Sequence, residues 1–259
     1  MQQTLGFTTL GNGSEPVLVL HDWFCDQTSY DLLHPYLNTG FYKFVFIDLR
    51  GYGLSKGIHG NCSIEESSRD VLAIADKLNI EKFHLVGHSM SGQIAQYIPT
   101  EARNRVKSIA TICPVPACGT PVPEDVLEQL ENIAKGDIVN GKAILYMMTQ
   151  NRYHDWFAER KALQWFSCSG PEARVAYLHT FCETDVSDLV RGCDIPTLVI
   201  CGDYDSPFYG PERMQETILK DFKNTQLVCL PSGHYPMEET PVVLAATLER
   251  FWEGVTARI

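Results

Sequence analysis

Short apolar runs recur along the chain, and each is cut off by polar residues and glycine. Val17-Leu18-Val19-Leu20 ends at His21-Asp22, Phe44-Val45-Phe46-Ile47 ends at Asp48-Leu49-Arg50-Gly51-Tyr52-Gly53, and Phe83-His84-Leu85-Val86 ends at Gly87-His88-Ser89. Near-continuous apolar runs of this length suit strands buried on both faces, whereas a strand with one wet face would alternate. Phe7-Thr8-Thr9-Leu10 is more polar and suits an edge. Val106 to Cys113, Thr197 to Cys201 and Gln226 to Leu230 supply three more runs. Stretches of helical period lie between them: one from about Ser29 to Leu37, one opened by the capping-box spacing Ser63-Ile64-Glu65-Glu66, and one from about Pro241. Buried strands alternating with helices predict an α/β fold built on a doubly wound, mostly parallel sheet.

One connection breaks the rhythm. A crossover between parallel strands needs a dozen or so residues, yet Pro114 to Asp194 is about 80 residues long. Much of it has helical period, as in Val126-Leu127-Leu130, Ile144-Leu145-Met148 and Ala162-Leu163-Trp165-Phe166. The pattern predicts a core from residues 1–116 and 190–259, with a helical lid inserted over 117–189 after the sixth strand. Pro114, Pro116, Gly119, Pro121 and Pro123 form the hinge leading into it.

The remaining chemistry narrows the classes. At 259 residues, 44% hydrophobic and 20% charged, the chain has the composition of a folded domain with a large core. A formal charge of -11 without any cluster of lysine and arginine argues against nucleic acid or an anionic membrane surface as partner, and favours a small molecule. Nine scattered cysteines with no CxxC pair suggest a reduced, cytoplasmic setting. No run of some 18 apolar residues suggests a membrane span, and the first residues lack the basic and apolar segments of a secretory signal. Neither metal nor cofactor is expected, because no HExxH, cysteine quartet, GxGxxG or GxxxxGK[ST] occurs.

Gly87-His88-Ser89-Met90-Ser91-Gly92 reads as a strand, a sharp turn and a helix, with a serine at the apex facing the N–H groups of the following helix. Ser89 is the candidate nucleophile. The spacing departs from GxSxG, since Ser91 holds the fifth place. In a doubly wound sheet reactive groups collect after the carboxyl ends of strands, and three more polar clusters sit there: His21-Asp22-Trp23, Gly202-Asp203-Tyr204-Asp205 and Ser232-Gly233-His234-Tyr235.

Taken together and in this order, LVLHDWFCD, DLRGYGLS, GHSMSG, CGDYDS and SGHYPMEETP make the chain resemble the α/β-hydrolase superfamily over nearly its whole length. The resemblance implies a serine hydrolase with nucleophile Ser89, acid Asp205 and base His234. Asp205 is preferred to Asp203 because the family pattern is GxxD. It also implies an oxyanion hole from the backbone N–H groups of Met90 and Trp23. The family's His-Gly pair is His21-Asp22 here, which sets a side chain beside that hole; Asp22 is expected to turn outward and cap its loop. His21 and His88 are expected to pack and bond loop backbone, and Arg50 to tie neighbouring loops. Phe24, Met147, Met148, Tyr153, Trp156, Phe208 and Tyr235 are candidates for an apolar pocket under the lid. The expected reaction is hydrolysis of a carboxylic ester or lactone of a small, mainly apolar molecule through an acyl-enzyme, with only water as co-reactant. Cleavage of a carbon–carbon bond or a thioester, a cofactor-free dioxygenase, and a ligand receptor that keeps the triad remain open alternatives.

Overall fold

The computed structural model describes residues 4–257. Its seven strands are β1 (Phe7–Leu10), β2 (Glu15–Leu20), β3 (Tyr42–Ile47), β4 (Phe83–His88), β5 (Val106–Ile112), β6 (Thr197–Gly202) and β7 (Thr225–Leu230). They lie in the order β1-β3-β2-β4-β5-β6-β7, with β1 antiparallel to β3 and every other pair parallel. The apolar runs are central because they are buried on both faces: Val17 to Leu20, Phe44 to Ile47 and all of β4 are fully buried. β7, with one neighbour, is only partly buried.

Helices α1 (Ile64–Lys77) and α2 (Met90–Ala102) and the C-terminal α11 (Pro241–Thr256) pack on the sheet, with the short α7 (Ser187–Val190), α8 (Pro211–Glu216), α9 (Ile218–Asp221) and α10 (Pro236–Glu239) in the connections. Ser63 caps α1 by accepting from the Glu66 N–H at 3.2 Å, while the Glu66 carboxylate reaches back to the Cys62 N–H at 2.8 Å. The helix expected over residues 29–37 is instead two 3-10 turns, Gln27–Tyr30 and His34–Tyr36. Asp26 caps the first, and Pro35, which has no N–H to donate, sits in the second.

The long connection leaves β5 and returns in β6 as expected. β5 is fifth in chain order here, because the sheet has seven strands among the described residues. The connection is helical: α3 (Glu124–Lys135), α4 (Ile138–Met148), α5 (Asp155–Cys168) and α6 (Pro171–Glu183). Topology then dictates where chemistry can gather. From β2 the chain passes to β3 on one side and later enters β4 on the other, so the loops after β2 and β4 diverge and leave a crevice at their carboxyl ends.

Candidate active site

The turn after β4 is the tightest point of that crevice. Ser89 has φ 50° and ψ −115°, a conformation costly for a residue with a side chain. Surrounding hydrogen bonds hold it there. Its N–H donates to the Ile112 carbonyl at 2.9 Å, and its own carbonyl accepts from Gly92 at 2.8 Å and Val115 at 2.9 Å. The turn closes only because Gly87 has no side chain, since a Cβ there would lie 2.3 Å from the Ser91 carbonyl oxygen. Ser91, at the place where the motif carries glycine, is buried and donates its hydroxyl to the carbonyl of His21. That bond ties the nucleophile turn to the loop after β2.

The strand ends then converge. His234 Nδ1 lies 2.7 Å from Asp205 Oδ2, and both residues are buried. Asp205 Oδ1 accepts from the Ser206 N–H at 2.6 Å, while Asp203 is exposed. Burial works against a charged imidazole at position 234, but the attraction and hydrogen bond of the Asp205 carboxylate outweigh it and leave the His234 pKa above its ordinary value. Ser89, Met90, Trp23 and His234 line one cavity. Met90 is the first residue of α2, where N–H groups have no intrahelical acceptor. About 20 Å³ of this cavity is open, room for roughly one water molecule.

Of the candidate pocket residues, Phe24, Met148 and Tyr235 line the cavity. The other four lie elsewhere. Trp156 is 64% exposed, Phe208 51% and Met147 51%, and the Tyr153 hydroxyl donates to Glu239 Oε2 at 2.8 Å. Their places are taken by Val115, Ile144, Trp165, Phe181 and Tyr209. Trp165 stacks on Phe24 with ring centroids 4.6 Å apart. Tyr209 stands closest to the chemistry, its ring 4.4 Å from that of His234 and in the same cavity wall as Ser89. Its only sequence signal was a position four residues after Asp205.

Asp22 does not turn outward. It is buried, lines the cavity and faces His88, with Oδ1 3.6 Å from His88 Nδ1. Burial alone would push its pKa up, but the attraction of the His88 ring at 3.6 Å and the charge of Lys161 hold the carboxyl well below its usual range. Lys161, itself fully buried on α5, pairs with Glu238. His88 Nε2 donates to the His234 carbonyl at 2.7 Å. Both ring nitrogens of His21 bond backbone: Nδ1 with the Asp22 carbonyl at 2.8 Å and Nε2 with the Leu49 N–H at 3.0 Å. Arg50 grips Asp70 through two nitrogens at 2.6 and 2.8 Å and the His59 carbonyl at 2.7 Å, away from the cavity.

Cys113 Sγ, an Asp205 oxygen and a His234 nitrogen lie within 4.8 Å of one another. Asp205 and His234 already bond each other, and burial pushes the Cys113 thiol up, so it stays in the protonated form that binds metals poorly.

A strained serine turn, a buried carboxylate–imidazole pair and a shared apolar cavity at the switch point of a doubly wound sheet define the class of α/β enzymes with a nucleophile elbow. A family model described as "Alpha/beta hydrolase family" matches residues 17–247, and the chain belongs to that family. It is an enzyme of hydrolase type. A non-heme haloperoxidase of Rhodococcus erythropolis is 22% identical over 89% of this chain and 93% of its own length. The 3-oxoadipate enol-lactonase 1 of Acinetobacter baylyi is 29% identical over 63% of this chain and 62% of its own length. A thermophilic esterase of Thermogutta terrifontis superposes with a TM-score of 0.83 at 24% identity, covering 97% of this chain and 93% of that one, and so shares its fold. No described helix is long and apolar enough to cross a membrane.

Proposed function

We propose that the chain is a serine hydrolase that cleaves a carboxylic ester or lactone of a small, mainly apolar molecule through an acyl-enzyme. The observation that carries this reading is the buried 2.7 Å bond between His234 Nδ1 and Asp205 Oδ2 beside the same cavity that Ser89 lines. In that mechanism Ser89 Oγ attacks the acyl carbon as His234 Nε2 takes its proton, and the carbonyl becomes an oxyanion held by the Met90 and Trp23 N–H groups. The C–O bond to the alcohol then breaks and His234 returns the proton to the departing oxygen. Water repeats the sequence on the acyl-enzyme. Asp205 holds the imidazole in the tautomer with its proton on Nδ1. Apart from these groups, Asp22 and the Tyr209 hydroxyl, the cavity walls are apolar, which fits a small, mainly apolar substrate and an esterase or lactonase among the activities named for the relatives.

The segment 117–189 acts in this reading as the lid, since Ile144, Met148, Trp165 and Phe181 close the cavity from above. Nine free thiols fit a reducing, cytoplasmic compartment. A fluorophosphonate probe should label Ser89, and Ser89→Ala should abolish labelling and lower p-nitrophenyl acetate turnover by about 10⁴-fold or more while thermal unfolding stays nearly unchanged. Retained turnover in that variant would remove the nucleophile assignment. Repeated turnover separates an enzyme from a receptor, which would stall after one acylation.

A further inference from the structure

The inner cavity is nearly full, yet a groove of about 390 Å³ opens directly outside it between α3 and α4. Its walls are mainly apolar, with Val126, Leu130 and Ile133 from α3 and Ala143, Ile144 and Met147 from α4, and Gln129, Asn132, Asp137 and Asn140 supply the polar remainder. Ile144 lines both spaces. Helical geometry explains why. Residues four apart share a face, so Ile144 and Met148 look into the inner cavity, while Ala143 and Met147, one position earlier, look into the groove. Ile144 stands on the boundary between the two stripes and is half-buried. Leu145, on the other side, is fully buried and anchors the helix.

The α4 wall of the groove runs on to His234. The Met148 carbonyl accepts from the His234 N–H at 3.0 Å, so the end of α4 sits against the residue that protonates the departing alcohol. Resting on the serine-hydrolase reading, we infer that Ile144 is the specificity gate of the site: it separates the reacting centre from an apolar groove that receives the alcohol chain of the ester, and its size sets how long that chain can be. Short alcohols stay inside the gate once lid movement has admitted the ester. Longer ones must displace Ile144 to reach the groove, and each methylene buried there returns about fourfold in kcat/KM, the equivalent of ~0.8 kcal/mol.

Two ester series test this, with acid release followed by a pH indicator. Methyl to octyl acetates vary the alcohol, and the ethyl esters of acetate to octanoate vary the acyl chain. Ile144→Ala keeps a helix-favouring residue and should raise the octyl-to-methyl acetate ratio of kcat/KM by about tenfold or more, while Ile144→Phe should lower it. The acyl series should keep its native profile in both variants. An unchanged acetate ratio in both variants overturns the gate, even if one of them melts early, because the ratio reads only folded molecules. A shift confined to the acyl series also overturns it, since the groove would then receive the wrong end of the ester. Failure of the hydrolase reading looks different: the native protein would neither take the fluorophosphonate nor turn over any acetate.

Discussion

Two partners of opposite effect set the proton affinity of His234, and the balance has a visible consequence. Burial disfavours the imidazolium, while the carboxylate of Asp205 favours it more strongly and raises the pKa above the ordinary value of 6.5. A general base works only when neutral, so kcat/KM should fall on the acid side along a limb centred above 6.5. The same shift makes the pair a stability device: a raised pKa contributes stability that is fully present below the unfolded value and is lost as pH rises through the folded one. Asp205→Asn should therefore lower turnover by about 10⁴-fold, move the remaining acid limb downward, and show a larger stability deficit at pH 6 than at pH 9. Urea midpoints at the two pH values and a pH–rate profile check this, and an unmoved limb would speak against Asp205 as the partner. At this scale the convergence of Ser89, Asp205 and His234 was legible, because each follows a strand and each motif is local; their roles belong to the proposed reaction. Asp22 was not: its compensating charge, Lys161, lies on α5, far along the chain, and nothing near position 22 announces it. Tyr209 and Trp165 escaped for the same reason, since either could equally have faced solvent, as Trp156 does.

Among elements, the junction of β4 and α2 is the constraint that bears on the site. A Cβ on residue 87 would meet the Ser91 carbonyl oxygen at 2.3 Å and its carbon at 2.8 Å, both backbone atoms that a rotamer change cannot move. Gly87→Ala must push α2 away from the sheet, at about 1–3 kcal/mol for overpacking, or roughly 2–4 °C of melting temperature per kcal/mol for a chain of this size. Because Met90 and Ser89 ride on α2, the variant should lose most fluorophosphonate labelling at temperatures where circular dichroism still reports folded protein. Full labelling of a folded Gly87→Ala protein would show that the turn tolerates what the geometry forbids. Strands were the legible elements, because a run of buried β-branched and aromatic residues reports two covered faces directly. The helix expected from about Ser29 to Leu37 misled, since the sequence alone could not say whether an Asp cap and a proline would leave room for full helical turns. The helices of the long insertion were legible as helices, but their inward faces were not. Each packs partly on its neighbours, so several apolar stripes compete, and Met147 and Trp156 ended outside the cavity.

Across the whole molecule, the helical insertion and the loop that carries His234 are joined by the bond from the His234 N–H to the Met148 carbonyl and, most extensively, through one buried carboxylate. Glu239 accepts from the Gly233 N–H at 2.7 Å and the Tyr235 N–H at 2.9 Å, gripping His234 on both flanks. The same side chain receives the Tyr153 hydroxyl at 2.8 Å and Arg152 Nη1 at 3.2 Å from the segment joining α4 to α5. The positions of the insertion and of the imidazole are therefore not independent, and the neighbouring pair of Glu238 with Lys161 reinforces the link. In the proposed hydrolase the nearly full cavity requires the insertion to move as a lid for a substrate to enter, so this network would resist opening and keep His234 in place while the lid is shut. Removing one arm at a time separates the two tasks. Tyr153→Phe takes away a single lid contact, at about 1 kcal/mol, and should speed amide hydrogen exchange in α4 and α5 only, with kcat nearly unchanged. Glu239→Gln presents an NH₂ group to amides that need an acceptor, so it should speed exchange both in those helices and in residues 231–236, and lower kcat by about tenfold or more. Exchange that rises in the loop while α4 and α5 stay protected would mean that lid and loop move independently, and that Glu239 serves the loop alone.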